Sequence, residues 1–309
     1  MDLDQLLSLK NISDSSKKLY KRNLEKLNDN KPIKNFKFLA SEQGVLEKLA
    51  KYKPNTQRSF IIAIVSTLKC LMTNEPNKWK RLYDKYYKLL DKFNKELREN
   101  KSKNEKETDN WVTKEDIQKV YTHYEPILEM ATKKKSLSDR EFRDLTDMMV
   151  LALYTMQPPR RNQDYQHALI CKKFDRDLLN NYNIVDISSD RFYFSKYKTK
   201  GTYNIQEQPI GEDIKEILNL YVKHHPLKKK LTNKTCIPFL VSPDGTEMNH
   251  PNDITRILYR VFQKKVGSSL LRKVYLTSKY GDLMKEMEAD TEAMGTSTGT
   301  AQNHYIKDE

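Results

Sequence analysis

The chain has 309 residues, with 56 Lys plus Arg against 42 Asp plus Glu, a net charge of +14 and 37% hydrophobic residues. That length allows two domains of ordinary size, and the positive excess points to a polyanionic partner, nucleic acid before an anionic membrane surface. No run approaches 18 consecutive apolar residues, which excludes a membrane-spanning helix, and the acidic opening MDLDQLLSLK has no apolar core of the kind a signal peptide needs.

Residues 1–100 read as a helical domain. Ser13 caps a helix running to about Asn28, with Asp14 in its first turn. A second helix is expected from Lys37 to Tyr52. Pro54-Asn55-Thr56 then breaks and restarts the chain into QRSFIIAIVSTLKCLM, the core helix of this domain. Pro76 opens a last helix, on which Trp79, Leu82, Tyr86, Leu89 and Phe93 recur at three- and four-residue spacing while the other faces carry Lys and Arg. That basic face is either a solvated surface or a helix lying along a DNA backbone. The polar stretch around residues 101–110 reads as a charged linker.

Residues 111–309 form the second expected domain. Thr113 starts one helix and Ser136 to Thr155 is another, apolar all round in its second half. Strands follow: a short one in NIVDI, a longer one at Arg191 to Tyr197, and a partner at Tyr203 to Ile210, closing a hairpin that carries Lys196, Lys198 and Lys200 near its tip. Helices resume at GEDIKEILNLYVKHH, at a segment capped by Asn252 or Asp253 and ending at Gly267, and at SSLLRKVYLTSKYGD. A further helix, a Gly-Thr-Ser turn and a final helix bearing Tyr305 complete the chain. The fold class is mainly α with a small antiparallel sheet. Cys70, Cys171 and Cys236 are odd in number and far apart, so they read as free thiols of a reducing, intracellular compartment.

The chemistry-bearing stretch is LALYTMQPPRRNQDYQHALI, residues 151–170. Pro158-Pro159 makes a rigid turn at the end of a buried helix, and Arg160 and Arg161 follow at once. A guanidinium held by such a turn suits bidentate binding of phosphate oxygens.

Four pieces in order resemble the tyrosine recombinases, or phage-type integrases. They are PPRRNQDY with Arg161 and Asp164, KYKTKGTY on the hairpin, SSLLRKVY with Arg272, and MGTSTGTAQNHY ending in Tyr305. PPRRNQDY looks most like the forms found in large DNA viruses, virophages and mobile elements. The resemblance covers residues 111–305 and implies a helical core-binding domain ahead of a catalytic domain, the two clamping duplex DNA. It implies Tyr305 as nucleophile, forming a 3′-phosphotyrosyl link without metal or cofactor. Arg161 and Arg272 become the phosphate-binding arginines, with Arg160 the alternative for the first. Lys198 becomes the donor to the 5′-oxygen, with Lys200 second, and Asp164 orients the arginine. A homotetramer assembled on DNA is implied too. Three imidazole positions of the family are replaced, by Ser269, Lys273 and Thr296. The loss of such a group costs about 10²–10⁴-fold in rate. A type IB topoisomerase-like enzyme and a catalytically inactive DNA-binding protein on the same fold are therefore the competing expectations.

Overall fold

The computed structural model describes residues 3–100 and 102–307. Its contacts separate two units, Met1–Ser102 and Lys103–Glu309.

The first unit is helical: α1 (Leu3–Ser8), α2 (Asp14–Leu27), α3 (Glu42–Ala50), α4 (Pro54–Asn74) and α5 (Pro76–Glu99). Ser13 caps α2 by accepting the Ser16 N–H. The single helix expected over 37–52 is instead a 3₁₀ turn at Lys37–Leu39 followed by α3, because the Ser41 side chain accepts the Gly44 N–H and starts a new helix. Apolar residues of α4 (Phe60, Ile61, Ile64 and Leu68) form the middle of the core with Leu24, Leu27 and Leu49. On α5 only Tyr86 of the expected stripe is fully buried, and its hydroxyl donates to the Leu39 carbonyl at 2.9 Å.

The second unit opens on α6 (Glu105–Asn110). This helix lies within the stretch expected to be linker, where Asn104 and Glu107 form a capping box. Further capping boxes start α7 (Lys114–Lys133) at Thr113/Asp116 and α8 (Asp139–Thr155) at Ser138/Glu141. The second half of α8 is buried from Leu145 to Tyr154, and the rest of the unit packs around it.

After α8 come α9 (Asn162–Gln166) and a five-stranded sheet. Its strands are β1 (Ala168–Cys171), β2 (Asn183–Asp186), β3 (Arg191–Phe194), β4 (Gln206–Pro209) and β5 (Ile237–Pro238), in the order β4-β3-β2-β1-β5. The sheet is mixed and not purely antiparallel as expected. β1 and β2 are parallel, because the connection between them carries a 3₁₀ turn at Arg176–Asn180 and returns the chain to the same end; the other pairs are antiparallel. The hairpin strands are shorter than expected, and the tip holds a helical turn, α10 (Lys200–Tyr203).

The remaining helices are α11 (Glu212–His224), α12 (Asp253–Phe262), α13 (Ser268–Ala293) and α14 (Thr298–Thr300), the last running into a π turn at Ala301–Tyr305. α12 stops at Phe262 because Gln263 turns left-handed at φ +51°. α13 continues straight through Gly281, where two helices were expected; one interior glycine costs only about 1 kcal/mol. Cys171 and Cys236, expected as free thiols, form a disulfide. The β1–β5 register pairs Ile170 with Ile237, which sets the two cysteines opposite each other with Cα atoms 4.5 Å apart.

Candidate functional site

The turn after α8 holds two arginines in different states. Arg160 is engaged on every side. Its Nε donates to Asp164 Oδ2 at 3.0 Å, a second nitrogen donates to Gln206 Oε1 at 2.9 Å, and the guanidinium lies 3.8 Å from the centre of the Phe194 ring. Burial pushes the Asp164 carboxyl above the usual carboxylate range, and the Arg160 charge works against that shift. Arg161, the N-cap residue of α9, is half-buried and has no side-chain hydrogen bond or ion pair among the described residues. Asp164 therefore holds Arg160 and not, as the resemblance implied, Arg161. Residues three and four apart both share a helical face, and it is the packing of Arg160 on Phe194 and its bond to Gln206 that turn Arg160 towards Asp164.

Neighbouring polar side chains fix the turn itself. Asn162 accepts the Tyr154 hydroxyl at 2.8 Å and donates to Thr255 on α12 at 2.9 Å. Gln157 donates to the Tyr165 hydroxyl at 2.7 Å and accepts from Gln208 on β4 at 3.0 Å. None of these links is visible in the sequence, since each joins segments set together only by the fold.

Buried Asn183, at the start of β2, ties this turn to the hairpin. Its amide nitrogen donates to the Asp164 carbonyl at 2.8 Å and the Lys196 carbonyl at 3.0 Å. Its amide oxygen accepts the N–H groups of Ser195 at 2.8 Å and Lys196 at 2.7 Å. The loop that begins there carries Lys198, which is exposed and has no side-chain partner among the described residues. Lys196 is exposed, and Lys200 is half-buried at the start of α10.

Arg272 sits in the second turn of α13, half-buried, again with no hydrogen bond or ion pair among the described residues. Burial raises the pKa of the Tyr154 hydroxyl well above that of an ordinary tyrosine, and the nearby charge of Arg272 opposes the rise. The α9 turn and the root of α13 thus converge on Tyr154, one through Asn162 and the other through Arg272. Lys273 is exposed and forms an ion pair with Glu107 on α6. Ser269 is exposed.

The C-terminal box follows the end of α13. Thr296 is half-buried and its N–H donates to the Thr291 carbonyl at 2.9 Å, while Gly295 takes the left-handed φ of +68° that turns the chain. Ser297 caps α14. Tyr305 is 58% exposed, and among the described residues nothing joins it to Arg161, Lys198 or Arg272. Asn162 and Arg272 thus bring the α9 turn and the root of α13 to Tyr154, and Asn183 joins that turn to the loop of Lys198.

A second, unanticipated pair lies on the other side of α8. Asp147, buried, receives both Nε and a terminal nitrogen of Arg260, together with the Tyr124 hydroxyl at 3.2 Å. This joins α12 to α8 and needs no functional account. Among the described residues no cluster of three or more His, Cys, Asp or Glu is arranged for a metal ion, and no helix is long and apolar enough to cross a membrane. Comparison with protein-family models, with curated proteins and with solved structures gives no match.

Proposed function

We propose that this chain cuts and rejoins duplex DNA through a covalent tyrosine intermediate, as a site-specific recombinase or integrase of the tyrosine-recombinase type. The observation that carries the reading is the contrast among the cations of the second unit. Arg160, Arg260 and Lys273 each form an ion pair with a carboxylate, whereas half-buried Arg161 and Arg272 form none among the described residues. Two unpartnered guanidinium groups held by a rigid turn and a helix root suit the non-bridging oxygens of a phosphodiester, whose charge builds in the transition state.

In the proposed step the Tyr305 Oη attacks phosphorus. A P–O(Tyr) bond forms and the P–O5′ bond breaks. The phenol loses its proton to solvent, and the leaving 5′-oxygen takes a proton from Lys198. Rejoining reverses each transfer, so no net energy source is needed. Duplex DNA and further copies of the chain are the proposed partners. The test is incubation with supercoiled plasmid at low salt, quenching in detergent, and a search for protein-linked DNA. A covalent adduct lost in Tyr305→Phe supports the reading. Relaxed circles without recombinant products favour a topoisomerase-like reaction. DNA binding without any adduct, across plasmids and a randomised duplex pool, supports the inactive DNA-binding protein, a reading favoured by Tyr305 being 58% exposed with no bond to either arginine among the described residues.

A further inference from the structure

Three helices of the second unit leave a cleft that strand cutting does not use. α7, the end of α8 and the first half of α13 enclose about 260 Å³. Ile117, Leu271 and Val274 make the cleft apolar, and Tyr154 and Tyr275 add aromatic surface to its walls. Leu271, Val274, Tyr275 and Ser278 line it together because residues three, four and seven apart share one face of a helix. Tyr154, Leu271 and Val274 are buried, so the core beneath fixes the floor.

The rim narrows what such a cleft can hold. Lys114 and Lys279 stand there, both exposed, and no Asp or Glu lines the cleft among the described residues. Lys114 makes no hydrogen bond or ion pair among the described residues. Lys279 pairs with no carboxylate among them; its ammonium lies 5.7 Å from the centre of the Tyr275 ring and 5.4 Å from that of Tyr280. The Thr155 hydroxyl is engaged, donating to the Leu151 carbonyl at 2.6 Å. The cleft beside α12, by contrast, sets Glu247 and Asp253 among its arginines. Two cations without a counter-charge above an apolar floor complement an anion with an apolar body. A neutral hydrophobe leaves the lysines unused, and an inorganic anion leaves the floor unused.

Volume and rigidity select the body. Pockets for drug-sized ligands run from about 300 to 1,000 Å³, so this smaller one suits one or two rings. A flat ring system packs on tyrosine surface and, unlike a flexible chain, loses little freedom on binding.

We propose that this cleft binds a small aromatic acid, with its one- or two-ring body on Ile117, Leu271 and Val274 and its acid group between Lys114 and Lys279. The proposal does not depend on the strand-cutting reading. The two places are nonetheless joined, since Tyr154 forms part of the cleft wall and its hydroxyl donates to Asn162, the neighbour of Arg161.

The test titrates the full-length protein with naphthalenesulfonate at low salt, followed by saturation-transfer NMR. Naphthalenemethanol, which has the same rings and no charge, is titrated beside it. The sulfonate should bind with a dissociation constant of about 1 mM or tighter, the scale open to so small a ligand. The alcohol should bind about fivefold more weakly, as two exposed lysines allow. Ser278→Trp, at an exposed lining position, should block the cleft and abolish binding of both. The double variant Lys114→Glu, Lys279→Glu should weaken the sulfonate by about tenfold and leave the alcohol unchanged. Melting curves show that each variant is folded. No saturable binding of the sulfonate at about ten times the expected constant overturns the proposal. Binding that survives Ser278→Trp lies elsewhere and overturns it too, as does equal affinity for sulfonate and alcohol.

Discussion

Arg160 and Asp164 form a part-buried ion pair at 3.0 Å, on the far side of the same turn that leaves Arg161 unpaired. Adjacent arginines thus divide two tasks. Arg160 neutralises a carboxylate that burial disfavours, packs on Phe194 and binds Gln206, so it holds α9 against the sheet. Arg161 makes no side-chain hydrogen bond or ion pair among the described residues. Arg160→Ala should destabilise the fold by about 3 kcal/mol, the usual cost of stranding a buried charge. Arg161→Ala should stay within about 0.5 kcal/mol of wild type and abolish adduct formation. Denaturant unfolding of both variants beside the cleavage assay checks this; equal stability losses would remove the division.

Asn183 makes four hydrogen bonds from one buried side chain, and three of them reach the backbone of Ser195 and Lys196. Asn183→Ala leaves those backbone groups and the Asp164 carbonyl unsatisfied, a loss of about 2–4 kcal/mol. Because Lys198 begins its loop there, cleavage should also fall in Asn183→Ala protein held well below its melting temperature. Lys198→Ala should lower cleavage by about 10²–10⁴-fold without moving the melting temperature. A Lys198→Ala variant as active as wild type excludes this lysine as the proton donor.

The placement of these groups shows how far the sequence could be read. The end of α8 before the double proline and the start of α13 before the Leu-Leu pair were legible because both are local signals. The partner of Asp164 was not. Spacings of three and four both suit a helical turn, and only the packing of Phe194 and Gln206 selects Arg160. β1 was missed because four residues are too few to show alternation, and it follows a helix without a clear break. Asn183 reads as one more polar residue at a strand start; its four partners come from segments 12 to 19 residues away. The position of Tyr305 depended on whether Gly281 ends a helix, and a lone glycine does not decide that.

The disulfide offers a separate check on the sheet. Cys171 and Cys236 close a loop with a sequence separation of 65, which on chain entropy alone stabilises the fold by about 4 kcal/mol. Reduction, or Cys236→Ser, should lower the melting temperature of the second unit. No change in melting on reduction would mean that β5 is held on β1 without the bond.

Stability should also depend on pH through His225. The ring is fully buried against Phe142 and Tyr221, its Nδ1 accepts the Leu227 N–H at 3.1 Å, and burial pushes its pKa from 6.5 down to about 4. The unfolded chain then binds a proton that the folded chain refuses. The stabilisation is full above about pH 6.5 and falls as the pH drops towards 4, by about 3 kcal/mol in all. Urea unfolding at pH 7.5, 6 and 5 should show this fall in wild type and a flatter profile in His225→Leu. Parallel profiles would clear His225 of the effect.

The most direct measurement of the central claim is the identity of the residue bonded to DNA. Wild-type protein, Tyr305→Phe and Thr296→His are incubated with a pool of nicked random-sequence duplexes, quenched and digested with nuclease and protease, and the C-terminal peptide is weighed by mass spectrometry. A nucleotide on Tyr305 in the wild type, absent from Tyr305→Phe and increased in Thr296→His, is the expected result. It would fix both the nucleophile and the cost of lacking an imidazole at position 296. Tight DNA binding with an unmodified Tyr305 peptide in both wild type and Thr296→His would contradict the account and leave a chain that holds DNA without cutting it.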